Sequence, residues 1–123
     1  MKPLVLIVDD EPAIAELIDQ HLAAGYRTVT AADGVEGLAK FRGERPDVVL
    51  LDINMPRMDG IRAQQQMHQL DSTVPVVMLT AVQDVSLLAT ALEHGAFSYL
   101  PKPFKTAYLM HIVAAAVAQR PRR

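Results

Sequence analysis

The chain has 123 residues, half of them apolar and few aromatic, with a formal net charge of −2 and no cysteine. That length holds one domain with a real core, and the missing cysteines exclude a disulfide framework, thiolate catalysis and a cysteine-based metal site. Bulk charge gives nucleic acid nothing to bind, and the longest apolar runs are far too short to span a bilayer. Met1-Lys2-Pro3-Leu4-Val5-Leu6-Ile7-Val8 has the apolar character of a leader, but Asp9-Asp10-Glu11 follows at once with no small-residue cleavage site. No signal peptide is therefore expected. The lack of thiols suits a reducing cytosol, so a cytoplasmic location is expected. Residues 1–120 are read as the domain, and the basic 121–123 as a frayed tail or the start of a linker.

Leu4 to Val8 is a short β-rich apolar run, strand one. Pro12 then suits the first turn of a helix, and Ile14, Leu17, Ile18 and Leu22 recur at helical spacing. Helix one is expected over about 12–24, with Gly25 as its stop. Residues 27–31 alternate weakly as strand two, with Val29 the main inward residue. Helix two starts at Asp33 or Gly34, faces the core with Val35, Leu38 and Phe41, and stops at Gly43. Gly37 inside it costs roughly 1 kcal/mol against Ala, which predicts a weak element.

Pro46-Asp47 leads into Val48-Val49-Leu50-Leu51-Asp52, strand three. An unbroken apolar run between turn signals reads as a strand buried on both faces, hence a central strand of a parallel sheet. Asp52 ends it, and Pro56 and Gly60 break the chain beyond it. Open α/β sheets place ligand chemistry at that end of their strands. Helix three starts near Asp59-Gly60, with Ala63, Met67 and Leu70 inward and Gln64, Gln65, His68 and Gln69 on a polar outer face. Residues 75–80 form strand four, ending on Thr80. Asp84 can cap helix four, with Val85, Leu88 and Leu92 inward and Gly95 as stop. Residues 97–100 form strand five, broken by Pro101-Lys102-Pro103. Helix five begins near Phe104 or Lys105 and carries a Leu109, Ile112, Val113, Ala116, Val117 stripe. Five βα units imply an α/β fold, a parallel sheet with helices on both faces joined by right-handed crossovers.

All strand ends of one polarity lie on one edge. That edge collects Asp9 and Asp10, Asp52, Thr80 and Lys102. Clustered carboxylates repel unless a cation relieves them, and magnesium prefers such oxygen ligands. A lysine and a threonine facing the ion suit phosphoryl oxygens, and Asp52 at the centre is placed as a nucleophile able to form an acyl phosphate. Singly, Thr80 is an ordinary strand-end threonine, Lys102 a solvated lysine and Tyr99 a packed aromatic. Capping explains one of Asp9 and Asp10 but not both. The joint pattern lifts them together.

Val8-Asp9-Asp10-Glu11, Asp52-Ile53-Asn54-Met55-Pro56 with Met58-Asp59-Gly60, Thr80-Ala81, and Tyr99-Leu100-Pro101-Lys102-Pro103-Phe104 occur in this order. With these motifs the chain resembles, over essentially its whole length, the receiver domain of bacterial response regulators, the chemotaxis-regulator fold. The resemblance implies a flavodoxin-like doubly wound sheet in the order 2-1-3-4-5. It implies Asp52 as phosphoacceptor, with Asp10, Asp52 and the Asn54 carbonyl binding Mg2+ directly and Asp9 through a water. It further implies that Lys102, the Thr80 hydroxyl and the Ala81 N–H hold the phosphoryl group, that Tyr99 is the switch aromatic, and that the Lys102-Pro103 bond is cis. The implied donor is a sensor histidine kinase or a phosphotransfer protein, and the chain is then a signalling switch and not an enzyme, with self-catalysed phosphotransfer and autodephosphorylation. Output would leave through helix four, strand five and helix five. The resemblance leaves room for an output domain or effector protein and a phosphorylation-dependent homodimer, with no membrane and no nucleic acid bound by this domain.

Within that family the position two residues past Thr80 sets character; Val82 there carries no polar group to position an attacking water, so the resemblance implies a phosphoryl lifetime longer than in regulators with an acidic or amide residue at that place. Two other readings share the architecture. A magnesium-dependent aspartyl-phosphate phosphatase usually carries a second Asp two residues past its nucleophile, where this chain has Asn54. A flavin or nucleotide module would need a Gly-rich loop after strand one, where this chain has Asp9-Asp10-Glu11-Pro12. A degenerate receiver used as a binding module is the remaining alternative. His21, His68, His94 and His111 lie on separate helices without ligand spacing and are read as neither metal ligands nor phosphodonors.

Overall fold

The computed structural model describes residues 1–120, and at Val82 the backbone alone. The elements are β1 (Leu4–Val8), α1 (Pro12–Leu22), β2 (Arg27–Ala31), α2 (Gly34–Glu44), β3 (Val48–Asp52), α3 (Gly60–Leu70), β4 (Val76–Thr80), α4 (Val85–Glu93), β5 (Ser98–Pro101) and α5 (Thr106–Gln119). A 3-10 turn, Val82–Asp84, leads into α4. The five strands form one parallel sheet in the order β2-β1-β3-β4-β5. This is the doubly wound, flavodoxin-like arrangement.

Every residue of β1, β3 and β4 is buried, because helices cover both faces of the central strands. The pleat sends alternate side chains to opposite sides. Leu6, Val8, Val49, Leu51 and Met78 meet Leu38 and Phe41 of α2, Ala63 and Met67 of α3, and Ala91 of α4. Val5, Ile7, Leu50, Val77 and Leu79 meet Ile18 and Leu22 of α1 and Leu109, Val113 and Ala116 of α5. Each large side chain so buried contributes about 1.5–3 kcal/mol of transfer free energy.

Several local expectations shift. β5 begins at Ser98, one residue late, and α5 at Thr106. α1 stops at Leu22, short of residue 24. In β2, Ala31 is buried more deeply than Val29. α2 runs through Gly43 and ends on Arg45, which takes a left-handed φ of 51° and returns its N–H to the Phe41 carbonyl at 3.2 Å. Gly95, by contrast, stops α4 as expected, with φ 95°.

The helical stripes are wider than the arc the sheet covers. Leu17, Val35, Leu70, Val85 and Leu92 were expected inside, and all are exposed. α4 is the extreme case, since Ala91 is its one buried residue. Gln64 moves the other way: it is fully buried, not on the polar face of α3, and its Nε2 donates to the His94 carbonyl at 2.9 Å. The C-terminal end of α4 packs there and supplies the acceptor that lets an amide go inside. Gly37 is explained by packing: an added Cβ would lie 3.0 Å from both Val8 methyls, so the glycine lets α2 press on β1.

Candidate functional site

The parallel register aligns the strand ends. Val8 pairs with Ala31 and Leu51, Asp52 with Leu79, and Thr80 with Pro101. The residue following each of β1, β4 and β5, together with the last of β3, therefore meets its neighbours at one edge. Backbone bonds lock this edge: Ile53 N–H to Leu79 O at 3.1 Å, Lys102 N–H to Thr80 O at 2.7 Å, and Asp9 N–H to Ala31 O at 3.1 Å.

Asp9, Asp10 and Asp52 each bring a carboxylate oxygen within 4.8 Å of the others. Asp9 and Asp52 are buried and Asp10 is exposed at the mouth. Lys102 reaches in with Nζ 3.0 Å from Asp9 Oδ2 and 3.3 Å from Asp52 Oδ2. Glu11, which the sequence reading left without a role, adds a fourth carboxylate 3.8 Å from the same ammonium. One positive charge thus faces four negative ones.

The imbalance shifts the ionisation of both Asp52 and Lys102. Burial, and then the charge of Asp9, push the Asp52 carboxyl up to about 7, against the pull of Lys102. Burial opposes the Lys102 ammonium, yet its close pairing with Asp9 and the charges of Asp52 and Asp9 prevail, so its pKa is raised. Asp9 Oδ2 is buried and pairs with that ammonium, with no other donor on it among the described residues. A hard divalent cation fits such a donor set: it supplies charge the cluster lacks and takes oxygen ligands.

The turn after β3 closes on itself. Gly60 N–H donates to Ile53 O at 2.8 Å, and an added Cβ on Gly60 would lie 2.1 Å from Asp52 O. Gly60, read from sequence as a breaker and the start of helix three, is the residue that lets α3 start against the Asp52 backbone. Asp59 caps α3 through the Arg62 N–H at 2.8 Å. Asn54 is exposed on this turn, its N–H 3.3 Å from Asp52 Oδ1.

Thr80 is buried at the edge and its hydroxyl donates to the Ala81 carbonyl at 3.1 Å. Ala81 N–H donates to Asp84 Oδ2 at 3.4 Å. Asp84 thus sits at the head of α4 but turns its side chain back to Ala81, not onto the helix. Tyr99 is 42% exposed and points outward. The Lys102-Pro103 bond is cis, as expected. The lifetime argument rests on the Val82 side chain, and the tail reading on 121–123; both lie outside the described residues.

Val85, Leu87 and Leu92 of α4, Tyr99 of β5 and Tyr108 of α5 are all exposed. Among the described residues no helix is long and apolar enough to cross a membrane.

Comparison with known proteins agrees with this geometry. Residues 5–114 match the response regulator receiver domain. The chain is 50% identical over 104 residues to a probable transcriptional regulator, ycf27, of Guillardia theta, covering 84% of this chain and 41% of that protein. It is 40% identical over 105 residues to the alkaline phosphatase synthesis transcriptional regulatory protein PhoP of Bacillus subtilis, covering 85% and 44%. The chain therefore spans less than half the length of these curated relatives. Among solved structures, a CheY-like receiver domain protein of Methanospirillum hungatei superposes with a TM-score of 0.93 at 30% identity, covering 98% of this chain and 97% of that one. The receiver domain of NtrX from Brucella abortus gives 0.89 at 31% identity, covering 93% and 98%. The chain belongs to the response regulator receiver domain family.

Proposed function

We propose that Asp52 accepts a phosphoryl group from a phosphohistidine of a sensor kinase or phosphotransfer protein, and that this domain acts as a covalent switch. The observation that carries the reading is the buried Asp52 carboxylate held 3.3 Å from the Lys102 ammonium, with two further aspartates within 4.8 Å. Asp10, Asp52 and the Asn54 carbonyl would hold magnesium directly, and Asp9 would act through a water. When bound, the ion neutralises the cluster and the incoming phosphoryl oxygens.

Asp52 attacks phosphorus as the carboxylate. The new bond is O–P, completing a C–O–P acyl phosphate; the donor P–N bond breaks, and its electron pair leaves with the imidazole, which takes a proton from solvent. Lys102 pairs with a phosphoryl oxygen and follows the charge as it moves. The Thr80 hydroxyl leaves the Ala81 carbonyl, and the Ala81 N–H leaves Asp84, to donate to the other oxygens. Thr80 moving inward opens room for Tyr99 to turn in, which reshapes the α4-β5-α5 surface. The apolar exposure of that surface supports its role as the output face, for an attached output domain, an effector or a second copy. The domain is a phosphoacceptor and not an enzyme with turnover on a separate substrate. It works in the cytoplasm, where histidine kinases present their phosphodonor.

The test is intact mass after incubation with a small-molecule phosphodonor such as acetyl phosphate. The parent should gain one phosphoryl group with magnesium and none with chelator, and Asp52→Asn none in either. A gain retained by Asp52→Asn contradicts the assignment.

A further inference from the structure

Arg57 lies outside the acidic cluster, on the turn between β3 and α3. Its φ is 66°, a left-handed value that favours glycine. A large side chain holds such a conformation when surrounding contacts over-determine it. Two contacts hold it: the Met58 N–H bonds to Pro56 O at 2.8 Å around Arg57, and the guanidinium reaches Asp33, at the head of α2. Arg57 donates to Asp33 Oδ2 from Nε at 2.9 Å and from Nη2 at 2.5 Å.

The two oxygens of Asp33 have separate duties. Oδ1 accepts the Glu36 N–H at 2.9 Å and caps α2, which leaves Oδ2 to the guanidinium. One residue on, Met58 presses against Gly34, where an added Cβ would lie 2.5 Å from Met58 O. The first turn of α2 thus grips the loop at two successive residues. The other end of the loop is closed by the Gly60 N–H bond to Ile53 O at 2.8 Å. Asn54 lies between these two fixings, and its own N–H reaches only Asp52 Oδ1, at 3.3 Å. Asn54 thus lies on a short backbone segment tied down on both sides.

We propose that the Arg57–Asp33 pair is a latch that aims the Asn54 carbonyl at the divalent cation, making Arg57 a positioning residue for metal binding. The inference rests on the reading of Asn54 as a magnesium ligand. Neither partner ligates the ion. Their effect passes through the backbone of 54–57.

Charge alone makes the opposite forecast at Arg57, and this separates the two ideas. Removing the Arg57 cation would strengthen magnesium binding by simple Coulomb attraction, and removing the Asp33 anion would weaken it. The latch requires both changes to weaken binding. Magnesium titrations by calorimetry on the parent, Arg57→Gln, Asp33→Asn, the double variant and Arg57→Lys test this. Asn keeps the cap that Asp33 supplies to α2, so the helix is retained. Each single variant should bind magnesium about 3- to 10-fold more weakly, the double no more weakly than either single, and Lys should recover part of the loss. Melting in chelator should stay within a few degrees of the parent. Tighter binding by Arg57→Gln, additive losses, or losses that track unfolding would overturn the latch. A parent that binds magnesium beside variants of equal affinity overturns the latch alone. A parent that binds none overturns the reading of the acidic cluster, and the latch with it.

Discussion

Asp52 holds its proton up to about pH 7, first because it is buried and next because Asp9 is charged beside it. In the unfolded chain the same group ionises near 4. Between those values the folded protein binds more protons, so this group makes stability fall as pH rises from about 4 to about 7. Above that window the loss is complete and constant. The Lys102 pKa is raised above the ordinary lysine range, so its ammonium stays charged through the window. Asp52→Asn removes the penalty. In metal-free buffer the variant should melt about 5 °C or more above the parent at pH 8, with a much smaller gap at pH 5. Equal gaps at the two pH values would contradict the cause given. Lys102→Met removes the one ammonium among four carboxylates. It should tighten magnesium binding, yet slow phosphoryl acceptance about 100-fold or more, since the group that follows the moving charge is gone. A variant that accepts phosphoryl groups as fast as the parent would show Lys102 to be only a counter-ion.

Gly37 and Gly60 both sit in or at the start of helices, yet their neighbours predict different outcomes. Ala at Gly37 gains about 1 kcal/mol of helix propensity and meets two Val8 methyls at 3.0 Å, a crowding of about 1–3 kcal/mol. Gly37→Ala should be neutral to mildly destabilising in urea unfolding, and clear stabilisation would refute the packing argument. At Gly60 the obstacle is backbone, Asp52 O at 2.1 Å and Ile53 Cα at 2.7 Å, which cannot swing aside. Gly60→Ala should cost more than about 3 kcal/mol or fold with the β3 end displaced and no phosphoryl acceptance. These close approaches were not legible in the sequence, because they depend on where α2 and α3 lie on the sheet. The central strands were legible because burial on both faces leaves an uninterrupted apolar run. The helix stripes were legible only in part: periodicity finds an apolar face, but Leu17, Leu70 and Val85 show that it does not say how much of that face the sheet covers. Gln64 was misread because its acceptor, the His94 carbonyl, belongs to another helix 30 residues away.

The sheet gathers side chains from four strand ends that are distant in sequence into one charged edge. That edge was largely legible, because a parallel sheet with known strand order fixes which ends are neighbours. Asp9, Asp10, Asp52 and Lys102 meet as the motifs implied. What stayed hidden were contacts of direction: Glu11 against Lys102, Asp84 turned back to Ala81, and Arg57 across to Asp33. The central claim is that the acyl phosphate forms on Asp52 and nowhere else. The direct measurement is to phosphorylate the parent in magnesium, reduce the acyl phosphate with borohydride, and locate the product by peptide mass spectrometry. The account predicts homoserine at position 52 alone, with none in chelator. Phosphate retained on a histidine, or reduction at Asp9 or Asp10, would contradict it.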